Sequence, residues 1–445
     1  MSNSKTNSLY LLVDIALTIR VLFSFALAQT MSAKGSPSPS PSQNQCANDF
    51  VLDYVDDLDH APATSHGTFL DGSNEGLERL EEYQEGGYHP VHIGDLLDPS
   101  CRYRVIHKLG HGGFGTVWLC RDSVDACYVA VKVMASDLNP EEILDFSLSQ
   151  LDQSMPGGQF IATPLNQFTV KGPNGIHQCL VLPPLGPCVS PRLWMRLEKD
   201  PAVALRKFAY QTTQALQFLH KNQICHGDFR PANILLKLAK LDHLSEEQLF
   251  SQIGQPTQIQ VKSESGEGLP ASSPKYLVQP ANIAGLANDF LTEEICIIDF
   301  GESYTFSSPP EDLGIPENYL PPEVLLELPD SVGPACDLWA LGCTLFEIRE
   351  QLPLFYMIYD NDELVAEMVR FFGKLPDDWW ARWEARGEYF NSEGKWLREE
   401  ADWSLEVALS KPIEIFDAGD KYDEGPIRSL RTPEDEQKLM ADLLY

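Results

Sequence analysis

Alternating apolar and polar residues characterise the first periodic part of the chain, which begins near Tyr103. Residues 128–133 have the sequence Tyr-Val-Ala-Val-Lys-Val and predict a strand, and residues 179–182 predict another. Farther along, the apolar period lengthens to that of a helix, and one helical face collects Leu205, Phe208, Ala209, Leu216 and Leu219. Helical patterns return at residues 335–347 and 363–372. The pattern predicts an α+β chain in which a sheet-rich part precedes a helical part.

Composition divides the chain into regions with different expected behaviour. They are an apolar N-terminal segment, a disordered Ser/Pro-rich and acidic tail, a sheet-rich lobe and a helical lobe, at residues 1–30, 31–86, 87–184 and 185–445. The tail has too little apolar surface to order itself. Residues 238–293 are rich in Ser, Gly and Pro, with one short strand pattern at residues 258–261. They predict a flexible insert in the helical lobe.

The first 30 residues permit three interpretations. An apolar run at residues 9–28 follows Lys5 and ends in Ala-Leu-Ala, which is typical of a secretion signal or an anchor. Asp14 and Arg20 interrupt this run, and each costs about 2.5–3.5 kcal/mol near a bilayer centre. The other two interpretations, an ordinary amphipathic segment and a start site misplaced upstream of Met31, are favoured by this cost.

The charge balance is strongly acidic. The chain has 65 acidic and 33 basic residues, for a net charge of -32. A surface of this sign repels nucleic-acid phosphates, so we expect a basic partner and no direct nucleic-acid binding. None of the 10 cysteines forms a C-x-x-C pair, which favours reduced thiols and a cytoplasmic or nuclear location.

A glycine-rich stretch precedes the predicted strand at residues 128–133. Residues 110–117, Gly-His-Gly-Gly-Phe-Gly-Thr-Val, fit G-x-G-x-x-G-x-V, in which missing side chains let backbone N–H groups approach phosphates. The strand that follows contains Val-Ala-Val-Lys, and its Lys132 is positioned to neutralise phosphate oxygens. The expected nucleotide-binding residues are Leu109, Gly110, His111, Gly112, Gly113, Phe114, Gly115, Thr116, Val117, Ala130 and Lys132.

Two further motifs supply polar groups after the amphipathic helix. Residues 226–233, His-Gly-Asp-Phe-Arg-Pro-Ala-Asn, match H-x-D-x-x-x-x-N, in which Asp228 accepts a hydroxyl proton and Asn233 holds a metal. Arg230 is a cation for the transferring phosphoryl group. An apolar strand then ends in Asp-Phe-Gly, and its Asp299 is a second magnesium ligand.

The order of these four motifs predicts a bilobed protein kinase fold that uses ATP and Mg²⁺. Asp228, Lys132 and Arg230 are the expected catalytic residues, and Asn233 and Asp299 the metal ligands. Pro-Pro-Glu at residues 321–323 stands where protein kinases carry Ala-Pro-Glu. Asp337 opens an apolar helix, and we expect its carboxylate to brace the backbone of the catalytic loop.

These motifs, with three further stretches, resemble the serine/arginine-rich protein kinase family in a form common in fungi. The stretches are residues 86–95 (GGYHPVHIGD), 103–110 (YRVIHKLG) and 373–383 (GKLPDDWWARW). The resemblance implies a monomer that phosphorylates serine or threonine in Arg/Ser-rich proteins, in agreement with the acidic charge. Asp360, Asp362 and Glu363 are the candidate docking acids. The competing interpretation of these three acids is a cap on the helix that they open.

Several positions depart from the family pattern. Gly227 replaces a common arginine and the segment 299–323 is short, so activation by phosphorylation is not expected. Glu142 and Asp145 both compete to pair with Lys132. No D-P-x-x-R motif occurs before Tyr445, which suggests a divergent or truncated member whose Glu323 lacks an arginine partner. A scaffold that binds ATP or basic peptides without turnover, and a kinase of small molecules suggested by His-Gly-Asp, are the alternatives.

Overall fold

The computed structural model describes most of the chain beyond residue 63. The described residues are 64–65, 67–139, 143–191, 193–196, 201–358, 360–398, 404–415 and 428–444. The predicted apolar segment 1–30, the tail up to residue 63 and Glu142 lie outside these ranges. Within the ranges, every helix is too short or too polar to cross a membrane.

Among the described residues, the first α-helix begins at Ala202, after eight strands, as the change in apolar pattern predicts. The strands are β1 Thr68–Leu70, β2 Leu96–Leu97, β3 Tyr103–Gly112, β4 Gly115–Asp122, β5 Tyr128–Met134, β6 Asn166–Gly172, β7 Gly175–Leu182, β8 Leu185–Cys188, β9 Ile224–Cys225, β10 Ile234–Leu238, β11 Gln258–Ser263, β12 Tyr276–Val278, β13 Leu291–Ile297, β14 Tyr304–Thr305, β15 Ile413–Ile415 and β16 Arg428–Leu430. The α-helices are α1 Ala202–Lys221, α2 Glu246–Ile253, α3 Pro322–Leu325, α4 Pro334–Glu350, α5 Asn361–Phe372, α6 Asp377–Arg382, α7 Arg386–Tyr389, α8 Leu405–Ser410 and α9 Glu434–Leu444.

A six-stranded antiparallel sheet forms the first half, in the order β2-β3-β4-β5-β7-β6. Strand β5 lies near its centre, and every one of its residues is buried. Side chains of a strand point alternately to the two faces, so burial of them all means that both faces of the sheet are covered.

The second half is built on α1 and α4. Helix α1 buries Leu205, Phe208, Leu216 and Leu219, four of the five residues predicted for its apolar face. Both helices contribute to the largest apolar core, which also contains β10 and β13. That core fixes the strands that lead into and out of the functional motifs.

The segment predicted as a flexible insert, residues 238–293, is instead folded. It contains α2, β11 and β12 and the start of β13, and Ser245 begins α2 with a capping box whose second member is Gln248. Its apolar residues pack on Ile106, Leu119 and Tyr128 of the six-stranded sheet; they are Leu241, Leu249, Ile253, Ala281 and Leu286. The sequence conceals this because each element is short and acquires its stability from the sheet that it covers.

The predicted tail also ends earlier than residue 86. Strand β1 pairs with β11 of the insert, and the following residues bury Leu70, Leu77, Leu80 and Tyr83 against Val261 and Leu277 of the insert. Residues 67–86 therefore belong to the folded domain. Their apolar residues are widely spaced among acidic and polar ones, which explains why composition alone predicted disorder.

Candidate active site

The glycine-rich stretch forms the hairpin between β3 and β4, with Gly112 opposite Gly115. A Cβ added to Gly110, Gly112 or Gly113 would meet no atom within 4 Å, so space is open beside the backbone there. Gly115 has φ +146°, and a Cβ at this position would lie 2.2 Å from the carbonyl oxygen of Val133. Only glycine fits at residue 115 without displacing β5.

Lys132 of β5 forms an ion pair with Asp299, at 2.8 Å between Nζ and Oδ1. Burial works against the charge on Lys132, but the carboxylates of Asp299 and Asp145 outweigh it and raise the pKa of the lysine above its ordinary value. Burial likewise works to raise the pKa of Asp299, and Lys132 reverses this and lowers it. Both groups are therefore held in their charged forms at neutral pH.

Of the two acids predicted to compete for Lys132, Asp145 interacts with it electrostatically, and Glu142 lies outside the described residues. It is buried in a 3₁₀ turn, Leu144–Phe146, rather than in a long helix. Burial raises the pKa of Asp145, with Lys132 opposing the shift. Its Oδ2 has no hydrogen-bond partner among the described residues.

The catalytic loop holds Asp228 between two neighbours. Arg230 donates from Nε to Asp228 Oδ1 at 2.8 Å, and Asn233 donates from Nδ2 to Asp228 Oδ2 at 2.6 Å. Asn233 Nδ2 also donates to the carbonyl oxygen of Asp228 at 2.8 Å. These bonds fix the position of the carboxylate that is predicted to act as base.

Asp337, at the start of α4, braces the same loop as predicted. Its carboxylate accepts hydrogen bonds from the backbone N–H groups of His226 and Gly227, at 2.8 and 3.1 Å. His220 Nε2 lies 2.9 Å from Asp337 Oδ2, the oxygen that also accepts from His226, and although burial works to raise the pKa of Asp337, His220 lowers it. Gly227 has φ +81°, and a Cβ there would lie 2.2 Å from the carbonyl oxygen of Glu302, so the backbone itself requires glycine at the position where the expected arginine is missing.

Asn233 and Asp299 are brought together by the pairing of β10 with β13. Ile234 lies opposite Ile297, and the N–H of Ile298 donates to the carbonyl oxygen of Asn233 at 3.0 Å. The bonds of Asn233 to Asp228 use Nδ2 and the ion pair of Asp299 uses Oδ1, and 38% of the Asp299 side chain is exposed. A carboxylate and an amide oxygen are ligands that Mg²⁺ prefers, so the donor set fits a magnesium site.

Phe114, at the tip of the glycine-rich hairpin, lies inside the cleft. The ammonium group of Lys132 is 5.8 Å from the centre of its ring. A Cβ added to Gly301 would come within 2.4 Å of the same ring. The glycine of the Asp-Phe-Gly motif therefore leaves the room that Phe114 occupies.

The remaining predicted nucleotide residues lie on the strands around this hairpin. His111 pairs with Thr116 across the hairpin, Val117 pairs with Lys132, and Ala130 is buried opposite Leu182. Two of the predicted side chains have other contacts. Thr116 accepts a hydrogen bond from Trp118 at 2.9 Å, and Leu109 packs against the apolar cluster that the insert forms with the sheet.

Glu302 is an acid of the cleft that belongs to none of the four motifs. It follows the Asp-Phe-Gly motif directly, and its pKa is raised by burial and by the charges of Asp228 and Asp299. A Cβ added to Gly314 would lie 2.7 Å from its carboxylate. The sequence signal that could have indicated Glu302 is its position immediately after the Asp-Phe-Gly motif.

Glu323 of the Pro-Pro-Glu turn forms no ion pair with the described residues. Burial raises the pKa of this carboxyl. A buried carboxyl without a cation favours its neutral form.

The predicted docking acids lie together at the start of α5. Asp360 caps this helix by accepting a hydrogen bond from Glu363 N at 2.9 Å, and Asp362 accepts one from Trp383 Nε1 at 2.7 Å. Burial and the nearby charges of the three acids raise the pKa of Tyr389. Two of the three side chains thus have structural partners, while Asp360 and Glu363 are exposed to solvent.

Comparison with known proteins shows that the chain is similar to protein kinases. The protein kinase domain model matches residues 278–399. The serine/threonine-protein kinase SRPK of Physarum polycephalum is 29% identical over 356 residues, which cover 75% of this chain and 80% of that protein. A serine/threonine protein kinase of Aspergillus fumigatus is 27% identical over 345 residues, covering 75% and 81%. SRSF protein kinase 3 of Homo sapiens is 36% identical over 177 residues, covering 38% and 30%. The chain is thus similar to serine/threonine protein kinases of the serine/arginine-rich type over about three quarters of its length.

Proposed function

We propose that the protein transfers the γ-phosphate of ATP to serine or threonine hydroxyls in Arg/Ser-rich protein segments. The observation that carries this proposal is the ion pair of Lys132 with Asp299, beside a catalytic loop in which Asp228 is fixed by Arg230 and Asn233. Relatives named as serine/threonine protein kinases support the same activity.

The proposed roles follow from charge and position. Lys132 neutralises phosphate oxygens, and the open backbone of the glycine-rich hairpin binds them through N–H groups. Asn233 and Asp299 hold Mg²⁺, which supplies charge neutralisation when bound. Asp228 accepts the proton of the attacking hydroxyl, and Arg230 adds positive charge where phosphoryl charge develops. Nucleotide would lie between a sheet-rich lobe, residues 87–184, and a helical lobe from residue 185.

The proposed substrate class follows from the net charge of -32 and from exposed acids near α5. Arginine side chains are attracted to such a surface, and Asp360 and Glu363 offer carboxylates to them. A relative named as a kinase of SRSF proteins supports the same class. We propose further that the protein acts as a monomer in the cytoplasm or nucleus and binds no nucleic acid directly.

A phosphotransfer assay with the full chain tests this proposal. Wild type, Asp228→Asn and the exposed control Asp289→Asn are incubated with radiolabelled ATP, Mg²⁺ and either an Arg/Ser or a Glu/Ser repeat peptide. We expect transfer to the Arg/Ser peptide by wild type and the control, and a loss of about 10²-fold or more in Asp228→Asn, because the base is removed. Equal background in all three proteins, with nucleotide binding intact, would leave a scaffold. A parallel incubation offers an aminoalcohol as the acceptor in place of peptide, and transfer to it alone would indicate a small-molecule kinase.

A further inference from the structure

Residues 78–83 precede the six-stranded sheet, pack on the insert and contact strand β3. The ammonium group of Lys108 on β3 forms an ion pair with Glu78, and both side chains are fully buried. Tyr83 donates a hydrogen bond from its hydroxyl to Glu78 Oε1 at 2.6 Å. Glu78 therefore has two partners. Its ion pair with Lys108 attaches residues 78–83 to β3 at a point two positions before Gly110.

A second contact lies four residues farther along the same strand. Tyr88 donates from its hydroxyl to the carbonyl oxygen of Gly112 at 2.6 Å. The tyrosine is 4% exposed, and its ring packs edge-on against Tyr83 with 5.8 Å between ring centres. Gly112 is the residue at which β3 ends and the hairpin turn begins.

Tyr88 is itself held in place by the rest of the domain. Its carbonyl oxygen accepts a hydrogen bond from Asn174 Nδ2 at 2.6 Å, and the same nitrogen donates to the carbonyl oxygen of Ser272 in the insert at 3.0 Å. Its N–H donates to the carbonyl oxygen of Glu82 at 2.7 Å. The hydroxyl is thus presented to Gly112 by a buried and fixed ring.

We infer that Tyr88 is a positioning residue for the glycine-rich hairpin, fixing the height of residues 110–113 above Lys132. This inference rests on the proposed function. The glycines of the hairpin have no side chains to restrain them, and space beside Gly110, Gly112 and Gly113 is open. Glycine loses more conformational freedom on ordering than any other residue. A bond that orders the turn in advance spares nucleotide binding that entropic cost.

The variant Tyr88→Phe removes only the hydroxyl, and Tyr128→Phe is its matched control. Tyr128 is also buried, and its hydroxyl also donates to a backbone carbonyl, that of Leu244 at 2.9 Å, away from the hairpin. Both variants lose one hydrogen bond of the same kind, so we expect similar decreases in Tm. A role confined to folding predicts no other difference between them.

The experiment measures KM for ATP, KM for an Arg/Ser peptide and kcat, together with Kd for Mg²⁺ and a non-hydrolysable ATP analogue by calorimetry. We expect Tyr88→Phe to raise KM for ATP and Kd for the analogue by about two- to tenfold, the equivalent of one neutral hydrogen bond. KM for the peptide should stay unchanged, and Tyr128→Phe should bind nucleotide as wild type does. Equal nucleotide affinity in the two variants overturns the inference. If the wild type binds the analogue but transfers no phosphate, only the proposed function is refuted, because the Kd comparison still tests Tyr88. If the wild type binds no nucleotide, the proposed function and the inference on Tyr88 are both overturned.

Discussion

Breaking the ion pair of Glu78 with Lys108 measures how much residues 67–86 contribute to the stability of the domain. The two side chains are 1% and 0% exposed. Burial lowers the pKa of Lys108, and Glu78 opposes that shift, so the charge on the lysine depends on its partner. Removing one member of such a pair costs about 3–5 kcal/mol, because a charge is left buried without compensation.

The perturbation is a cycle of Glu78→Gln, Lys108→Met and the double variant. Glutamine at position 78 keeps an oxygen that can accept the hydrogen bond from the Tyr83 hydroxyl. A residue without an acceptor would leave that hydroxyl unpaired and lower the free energy of unfolding by about a further 1–3 kcal/mol. We expect each single variant to lower the free energy of unfolding by about 3 kcal/mol or more. The double variant, which buries no charge, should lose clearly less than the sum of the two.

Urea unfolding followed by tryptophan fluorescence measures the four free energies, and the exposed Glu75→Gln is the control. If Glu78 lay in a disordered tail, its substitution would change the free energy of unfolding by no more than the control does. A Glu78→Gln value within about 0.5 kcal/mol of wild type, or single-variant losses that simply add, would refute the reasoning.

Three further predictions concern buried carboxylates. Asp337→Asn keeps one acceptor oxygen but loses the charge that binds two backbone N–H groups. We expect kcat to fall at least tenfold, while the Kd for ATP, measured by calorimetry, changes little. Asp145→Asn removes one of the two carboxylates that raise the pKa of Lys132, and the pH at which an amine-reactive reagent half-modifies Lys132 should fall; an unchanged value would exclude Asp145 as its partner. Burial raises the pKa of Glu350 from 4.5 to about 7, so the folded state binds this proton more tightly than the unfolded one. The associated stability is complete below about pH 4.5 and is lost as the pH rises through 7, and Glu350→Gln should remove this part of the pH dependence of Tm.

The motif residues of the site were predictable because each motif is continuous in sequence. The loop of Asp228 and Asn233, and the Asp299 that follows a strand, need only local backbone geometry and one strand pairing to meet. The role of Asp337 was also predictable, since an acid that opens a buried helix needs donors nearby. Fold class followed from the change in apolar period between the two halves.

Contacts between distant segments were not predictable in the same way. The hydrogen bond of Tyr88 with Gly112 joins two motifs whose sequences do not indicate that these residues, 24 positions apart, meet. The order of the insert arises from packing on Ile106, Leu119 and Tyr128, and no pattern within the insert states which surface it meets. The electrostatic interaction of Lys132 with Asp145 was not predictable, because a 3₁₀ turn has no periodic signal.

The covered outer face of the sheet has a consequence for synthesis on the ribosome. The last strand of the sheet ends at Leu182, and the residues that cover the sheet follow 59 to 104 positions later, from Leu241 to Leu286. Translation at 5–20 residues per second needs roughly 3–21 s to reach them. Strand pairing within the sheet is complete in a far shorter time, about microseconds for a hairpin. During that interval Ile106, Leu119 and Tyr128 have no covering layer, so the nascent chain presents an apolar surface that only the arrival of its own later residues, or a chaperone, can shield.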